Sequence, residues 1–414
     1  MKTESPVRRV VVLNQYALPA SVGGGTRHVE LFGRLEGWQY RIVAGDRDHA
    51  SQRPHSFQDP HFRLVHVSGY RGNGHRRVIS FATYCLGAFV ATLREPRPDV
   101  VYASSPHLLA PVAGWLAARL RGSKFVLEIR DLWPQSIVDT GHLPENSLLH
   151  RALRGLELWL YRRADRIVLV TSAWYSYFRS LGIDEAKLEW VSNSAEPEDF
   201  DIQPDLVPLR DRCPVRGRLV VYAGAHGPAN GLDLLLDAAA ELPEHTFLLI
   251  GEGIDKQRLV DRARSEGLAN VQFLGMLPKR ELAGILGGAD IGVHVLNDAA
   301  VFRLGLSPNK LYDYLAAGLP VVTNCLGEPT DVVTAADAGI ATPGDLTAGL
   351  RKLADLDDAT LKEMGRRGRR YIQDNRSRTV MSARLQRVLD EVVGRVRPAN
   401  AEQRGPLEGV GGPR

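Results

Sequence analysis

Cysteine is scarce in this chain: there are three in 414 residues, Cys85, Cys213 and Cys325, none near another. Such spacing supports neither a disulfide framework nor a zinc knuckle, and the expected setting is a reducing one, the cytoplasm. Long hydrophobic runs are missing too. The nearest to a membrane span is Val78 to Leu93, sixteen mostly apolar residues after the basic run Arg71, His75, Arg76 and Arg77. That is short for a transmembrane helix and suits either a buried core helix or one lying at a membrane interface. Met1 to Val10 carries charges and no apolar core, so no secretory leader is expected. There is little excess charge of one sign, 52 Lys+Arg against 48 Asp+Glu. Residues 1–200 hold 25 against 20, and residues 201–414 hold 27 against 28. An excess that small argues against nucleic acid, while a mildly basic first half leaves room for peripheral contact with anionic lipid or for a phosphorylated substrate. Two nucleotide signatures, GxGxxG and GxxxxGK[ST], are absent, which weakens the dehydrogenase and ATPase readings. Metal binding has little support: Asp46-Arg47-Asp48 is an isolated D-x-D without a His or carboxylate cluster and reads as a solvated loop.

What is there is a soluble-type composition, 44% apolar and 24% charged, with 40 glycines and 24 prolines and no repeat period. The length suits two domains. Short apolar strands alternate with helical segments at Arg9–Leu13, Tyr40–Ala44, Phe62–His66, Val100–Ala103, Phe125–Ile129 and Arg166–Thr171. A second series follows at Leu219–Ala223, Thr246–Ile250, Val271–Leu274, Ile291–Val295, Pro320–Thr323 and Gly339–Ala341. The fold class is therefore α/β, with two doubly wound parallel sheets. Between them, residues 193–218 contain Pro197, Pro204, Pro208 and Pro214 without sustained periodicity, so the domain boundary belongs there.

Ligands of open α/β sheets bind beyond the carboxyl ends of the strands, which directs attention to the loops. The most informative stretch is Ser307 to Val322, SPNKLYDYLAAGLPVV. Ser307 or Asn309 can cap a helix whose first turn takes Pro308, and its free N–H groups attract phosphate. Leu311, Tyr314 and Leu315 recur at helical spacing, Asp313 lies on another face, and Gly318 stops the helix before a buried strand. Asp313 beside a diphosphate can accept hydrogen bonds from ribose hydroxyls, so a nucleotide-sugar is placed here; an ordinary capped helix with solvated Lys310 and Asp313 is the alternative. Gly23-Gly24-Gly25-Thr26-Arg27-His28 follows the first strand, either as a plain turn or as a close backbone approach to a ligand. Ser104-Ser105-Pro106-His107 reads as a helix start with a histidine in it. Arg130-Asp131-Leu132-Trp133 packs a cation, a carboxylate and an indole at a strand end; Arg130 and Asp131 either pair with each other or meet an acceptor and developing charge at a sugar carbon. In the second half, Gly224 to Gly231 and Gly251-Glu252-Gly253 again allow close approach.

The order of these motifs, from Asn14-Gln15-Tyr16 and the Gly-Gly-Gly-Thr-Arg-His loop through Glu128-Ile129-Arg130-Asp131-Leu132-Trp133-Pro134 to Ser307–Val322, resembles the family 4 glycosyltransferases of the GT-B fold. Within that family it is similar to the branch holding bacterial lipopolysaccharide and capsule sugar transferases, among them colanic-acid and fucosaminyl transferases. The resemblance implies two Rossmann-like domains facing a cleft: 1–195 for the acceptor, 196–375 for the donor, a helix at 376–397 returning to the first domain, and a disordered tail at 398–414. It implies a retaining transfer, without metal or cofactor, from a nucleoside diphosphate-sugar, with UDP the expected carrier. The acceptor is a hydroxyl on a glycan, a lipid-linked sugar or a small molecule. Implied roles are catalytic for Asp131 and Lys310. Donor contacts are assigned to Gly24, Gly25, Gly224, Asn230, Glu252, Arg303, Ser307, Pro308, Asn309, Lys310 and Asp313. Acceptor contacts are assigned to Thr26, Arg27, His28, His107, Arg130 and Trp133.

The sequence departs from the wider family in having Gly305 at the first acidic position of the paired signature, and Ala225 and Asn230 where many relatives carry Arg and Lys. Phosphate charge then falls to Lys310, Arg303 or Arg27. Two other readings stay open at this level: a sugar-nucleotide epimerase of similar architecture, and a non-catalytic homologue that assists a partner transferase.

Overall fold

The computed structural model describes residues 7–22, 26–49, 51–55, 57–70, 75–139, 143–203 and 215–394. The first sheet contains β1 (Arg8–Leu13), β2 (Trp38–Gly45), β3 (Phe62–Val65), β4 (Val100–Ser104), β5 (Lys124–Ile129), β6 (Arg166–Leu169) and β7 (Leu188–Trp190). Their order is β3-β2-β1-β4-β5-β6-β7, and every pair is parallel. The strands read as Val/Ile/Leu runs because helices cover both faces. One face carries α2 (His75–Arg94), α3 (Leu109–Arg121), α5 (Leu148–Arg163) and α6 (Trp174–Ser180). The other carries α1 (Arg27–Phe32), and α4 (Gln135–Asp139) follows β5.

The second sheet repeats the pattern with β8 (Leu219–Ala223), β9 (Thr246–Ile250), β10 (Val271–Leu274), β11 (Ile291–His294), β12 (Val321–Thr323) and β13 (Gly339–Ala341), in the order β10-β9-β8-β11-β12-β13. Between and after these strands lie α7 (Leu232–Glu241), α8 (Lys256–Ser265), α9 (Lys279–Gly288), α10 (Ala300–Arg303), α11 (Asn309–Ala316), α12 (Glu328–Ala335), α13 (Leu346–Ala354) and α14 (Asp358–Asn375). In each sheet the winding reverses beside its first strand, at β1/β4 and at β8/β11, which is where such sheets bind ligands.

All twelve strands expected from the sequence are present. The seventh strand of the first sheet, β7, was not expected, because Leu-Glu-Trp is three residues long with a carboxylate at its centre. After α14 the chain crosses back, and α15 (Arg378–Val392) buries Met381, Leu385, Val388 and Leu389 in the first domain's core. Trp38 Nε1 donates to Asp390 Oδ1 at 3.1 Å and Ser382 Oγ to the Leu31 carbonyl at 2.9 Å, which pins that helix to α1 and β2. The tail at 398–414 lies outside the described residues. Among the described residues no helix is long and apolar enough to cross a membrane.

The β8/β11 crevice is shaped by Tyr314. Strands β8 and β11 pair only at Ile291↔Val220 and Gly292↔Val221. Beyond that point the Tyr314 hydroxyl accepts the Ala223 N–H at 2.6 Å, standing in for the missing strand partner. Its ring lies on Gly292, where a Cβ would sit 2.8 Å from the ring carbon Cγ. Gly292→Val should therefore displace Tyr314 and overpack a fully buried site, costing about 1–3 kcal/mol. Urea unfolding followed by circular dichroism checks this, and an unchanged midpoint would refute the packing argument.

Candidate active site in the cleft

Helix α11 begins without a side-chain cap. Pro308 occupies the capping position with φ −82° and ψ 114°, and has no side chain able to accept from the first turn. The sequence expectation that Ser307 or Asn309 caps is corrected here. Asn309 is the exposed first residue of the helix, and Ser307 Oγ accepts the Asn193 N–H at 3.0 Å, while Asn193 Nδ2 donates to the Ser307 carbonyl at 2.6 Å. The tertiary contact outcompetes the local one, and the opening amides of α11 are left for a ligand.

Lys310, in the first turn of α11, reaches back over the loop after β8. Its Nζ donates to Tyr222 Oη and Asn230 Oδ1, both at 2.9 Å, and lies 4.5 Å from the Tyr222 ring centroid. Gly224 makes room for it: a Cβ there would lie 3.2 Å from the ammonium. Burial lowers the Lys310 pKa to about 8. Its partners are neutral, so the charge is oriented and not neutralised. Beneath it His294, wholly buried and 3.0 Å from Thr323 Oγ1, is held down to about 3 by burial and then by Lys310, and so adds no charge. Other cations nearby are committed elsewhere. Arg303 is exposed and bonded through Nε to Asp298 at 2.8 Å; Lys256 Nζ is taken by Glu252 and by the carbonyls of Gly251 and Leu274.

Asp313, one turn further on, is half-buried and has no side-chain hydrogen bond among the described contacts. Burial raises its carboxyl to about 6, with Lys279 and Arg378 pulling the other way. It is an available acceptor at neutral pH.

On the first-domain side, Asp131 is solvent-accessible and burial in the cleft raises its pKa, opposed by Arg130. The two do not form an ion pair within 4.0 Å, and Trp133 packs at the edge of Phe81, ring centroids 6.5 Å apart. Thr26 is the residue before α1 and is half-buried. Three expected acceptor contacts are turned inward instead. Arg27 donates to Glu128 at 3.0 Å, to the Val191 carbonyl at 2.6 Å and to the Ser192 carbonyl; His28 Nε2 lies 2.8 Å from Glu128. His107 is buried, with Nε2 2.9 Å from Gln15 Oε1 and Nδ1 accepting the Ala110 N–H at 3.2 Å. Nor is the Arg27 charge free for a phosphate. Gly24 and Gly25 lie outside the described residues.

The domains meet where α10 touches α4 and where Leu304 packs on the first core. Gly305 has φ +128°, and a Cβ there would lie 2.6 Å from that of Ala173. The missing carboxylate of the paired signature thus has a steric reason.

Sequence reasoning missed Tyr222, Tyr314, Asn193 and Glu128. An aromatic hydroxyl at the end of an otherwise aliphatic strand, as in Tyr222, was the one available signal.

Two protein-family signatures divide at the linker: "Glycosyl transferase 4-like domain" matches residues 24–194 and "Glycosyl transferases group 1" matches 217–356. The chain belongs to the GT-B glycosyltransferases. It is 26% identical over 321 residues to "Probable glycosyltransferase WbjE" of Pseudomonas aeruginosa, covering 76% of this chain and 78% of that one. It is 27% identical to a GDP-mannose-dependent alpha-mannosyltransferase of Mycobacterium tuberculosis, covering 61% and 62%. Among solved structures, sucrose-phosphate synthase from Thermosynechococcus elongatus superposes with a TM-score of 0.72 at 16% identity, covering 93% and 99%. Anabaena Alr3699/HepE in complex with UDP does so with 0.67 at 16%, covering 92% and 100%. These two likenesses concern the GT-B fold.

For this transferase Gly305→Glu, which restores the acidic signature, should fail to raise activity and should destabilise the chain by about 1–3 kcal/mol, since it forces a side chain into a left-handed backbone against Ala173. Higher turnover at an unchanged melting temperature would contradict this.

Proposed function

We propose that this transferase moves a sugar from a nucleoside diphosphate-sugar, with UDP the carrier, to a hydroxyl acceptor, retaining the anomeric configuration and without a metal. The observation that carries the reading is the uncapped start of α11 together with the Lys310 ammonium held at the loop after β8 by neutral partners. A diphosphate bound there gains backbone amides and one desolvated cation, while the Asp313 carboxylate accepts from the ribose hydroxyls. The UDP complex of Alr3699/HepE supports the choice of carrier. In this reading the acceptor hydroxyl enters from the first domain, beside Asp131 and Trp133. It attacks the sugar from the face the diphosphate leaves, and the leaving oxygens take its proton. Lys310 stabilises the charge that develops on them, and closing the cleft excludes water. In this reading the exposed Asp131 carboxylate offsets positive charge that develops at the sugar carbon. Retention by a covalent intermediate would need a second carboxylate about 5–5.5 Å from the first; in this reading Asp131 acts alone. The acceptor proposed is a sugar hydroxyl of a cell-surface glycan or of a glycosylated metabolite.

Thermal-shift screening against UDP, GDP, ADP and dTDP and their sugars tests the donor, because a ligand of the native state raises apparent stability. A shift with UDP and its sugars is expected, and a shift with GDP alone would replace the carrier. Calorimetry should show Asp313→Ala weakening donor binding on the order of tenfold, and Lys310→Ala should lower kcat on the order of a hundredfold. Unchanged donor affinity in Asp313→Ala would remove the ribose assignment.

The pH dependence follows from the same two groups. Asp313 carries its charge only above about 6, and Lys310 keeps its proton only below about 8. The free enzyme's kcat/KM should therefore fall on both sides of that window. Lys310→Arg should abolish the alkaline limb; if that limb persists, it belongs to another group.

A further inference from the structure

One buried carboxylate of the second domain has no part in the chemistry above. Glu328, the first residue of α12, is 3% exposed and lies at the joint between the domains. Its Oε1 accepts the Tyr312 hydroxyl at 2.8 Å, and the Tyr312 oxygen lies 3.2 Å from Ser307 Oγ. Thr171, which follows β6 in the first domain, neighbours the same carboxylate. Arg376 Nη2 lies 3.6 Å from Oε1, and the Arg376 guanidinium rests over the ring of Trp190 at the end of β7, 4.1 Å from its centroid. Burial raises the Glu328 pKa, and Arg376 is the main group opposing that rise. Burial, and after it the charge of Glu328, push the Tyr312 phenol up, so it keeps its proton.

These contacts run in one direction. An ionised carboxylate beside a guanidinium can only accept, so the single phenol proton of Tyr312 goes to Glu328. The Tyr312 oxygen then accepts from Ser307 Oγ, whose lone pair takes the Asn193 N–H at 3.0 Å. We propose that Glu328 is a positioning residue, which fixes the opening turn of α11 by ordering the hydrogen bonds from Asn193 through Ser307 and Tyr312 to its own carboxylate. Ser307 has its proton on Tyr312 and a lone pair on Asn193, so it is held from both sides. The α11 amides and Lys310 follow directly after it in the chain, and their aim depends on where it is held. Glu328 is too buried to meet a ligand and acts only through these neighbours. Its bearing on catalysis rests on the reading of α11 as the donor helix. An ion pair with Arg376 that served stability alone would need the charge of Glu328, whereas the ordered series needs only an acceptor at that place.

Tyr312→Phe and Glu328→Gln separate the two roles. The first removes one hydroxyl and interrupts the series, while the second keeps an acceptor for Tyr312 and removes the charge that Arg376 faces. Hydrogen exchange read by mass spectrometry needs no ligand. Peptides spanning residues 190–196 and 304–312 should exchange on the order of tenfold faster in Tyr312→Phe and close to the parent rate in Glu328→Gln. Calorimetry with UDP should show the same split, with binding weaker on the order of tenfold in Tyr312→Phe and by less than about threefold in Glu328→Gln. Both measurements are made below the melting transition seen by circular dichroism. If Tyr312→Phe does not fold, Ser307→Ala interrupts the same series one oxygen earlier and takes its place. Parent-like exchange in the interrupted variant, or a change in Glu328→Gln as large as in Tyr312→Phe, would overturn the proposal. A parent that binds no UDP while the exchange split holds would remove the carrier and leave the positioning role standing.

Discussion

The buried carboxylate of Glu128 is the interaction from which the arrangement of the cleft is built. It lies near the end of β5 and accepts from Arg27 Nε at 3.0 Å, from Tyr102 Oη at 2.9 Å and from His28 Nε2 at 2.8 Å. Burial alone would raise its pKa; His28 and Arg27 hold it well below the usual carboxylate range. A charge so enclosed is tolerated only when its partners are fixed, because an unpaired buried ion costs several kcal/mol. Arg27 is thereby fixed, and its remaining N–H groups fix the carbonyls of Val191 and Ser192 where the chain leaves β7. The next residue, Asn193, lies 3.4 Å from the same guanidinium and holds Ser307 with two hydrogen bonds. An ion pair inside one domain thus positions the turn that opens helix α11 of the other.

That chain of contacts bears on how, in the proposed reading, a site poor in charge would hold a diphosphate. Wherever Lys or Arg lies against a carboxylate, as in Arg303–Asp298 or Lys256–Glu252, its field is largely spent. Lys310 is different because a phenol and an amide hold it. Dipoles orient the ammonium without cancelling it, and partial burial keeps water from screening it. The cost appears as a depressed pKa, which an arriving phosphate would reverse.

Much of this was legible in the sequence. Buried parallel strands read as unbroken Val/Ile/Leu runs, so twelve of them could be marked, and β7 escaped because it is short and has Glu189 at its centre. Helix α11 and its stop at Gly318, with φ +78°, followed from apolar spacing. Capping did not follow, because the preference of Ser for helix starts is local while Ser307 answers to Asn193 from the other domain. Arg27, His28 and His107 were misplaced for a related reason. A polar residue after a strand looks the same in sequence whether it faces a ligand or a buried carboxylate, and only the presence of Glu128 and Gln15 behind them separates the cases. Gly305 looked like a loss of function and is a packing requirement set by Ala173.

The same contacts bear on how the cleft moves. Among the connections between the domains are the linker that begins at Asn193, the passage from α14 to α15, and the turn of residues 304–307 seated on Thr171 and Ala173. The first and third meet at Ser307. Opening the cleft by rotation must therefore disturb the turn that aims the α11 amides and Lys310, and occupying those amides must bear on the rotation. In the proposed reading, donor binding at the α11 amides would act on domain rotation through Asn193 and Ser307, because the chain uses for tertiary contact the hydroxyl that would otherwise cap the helix.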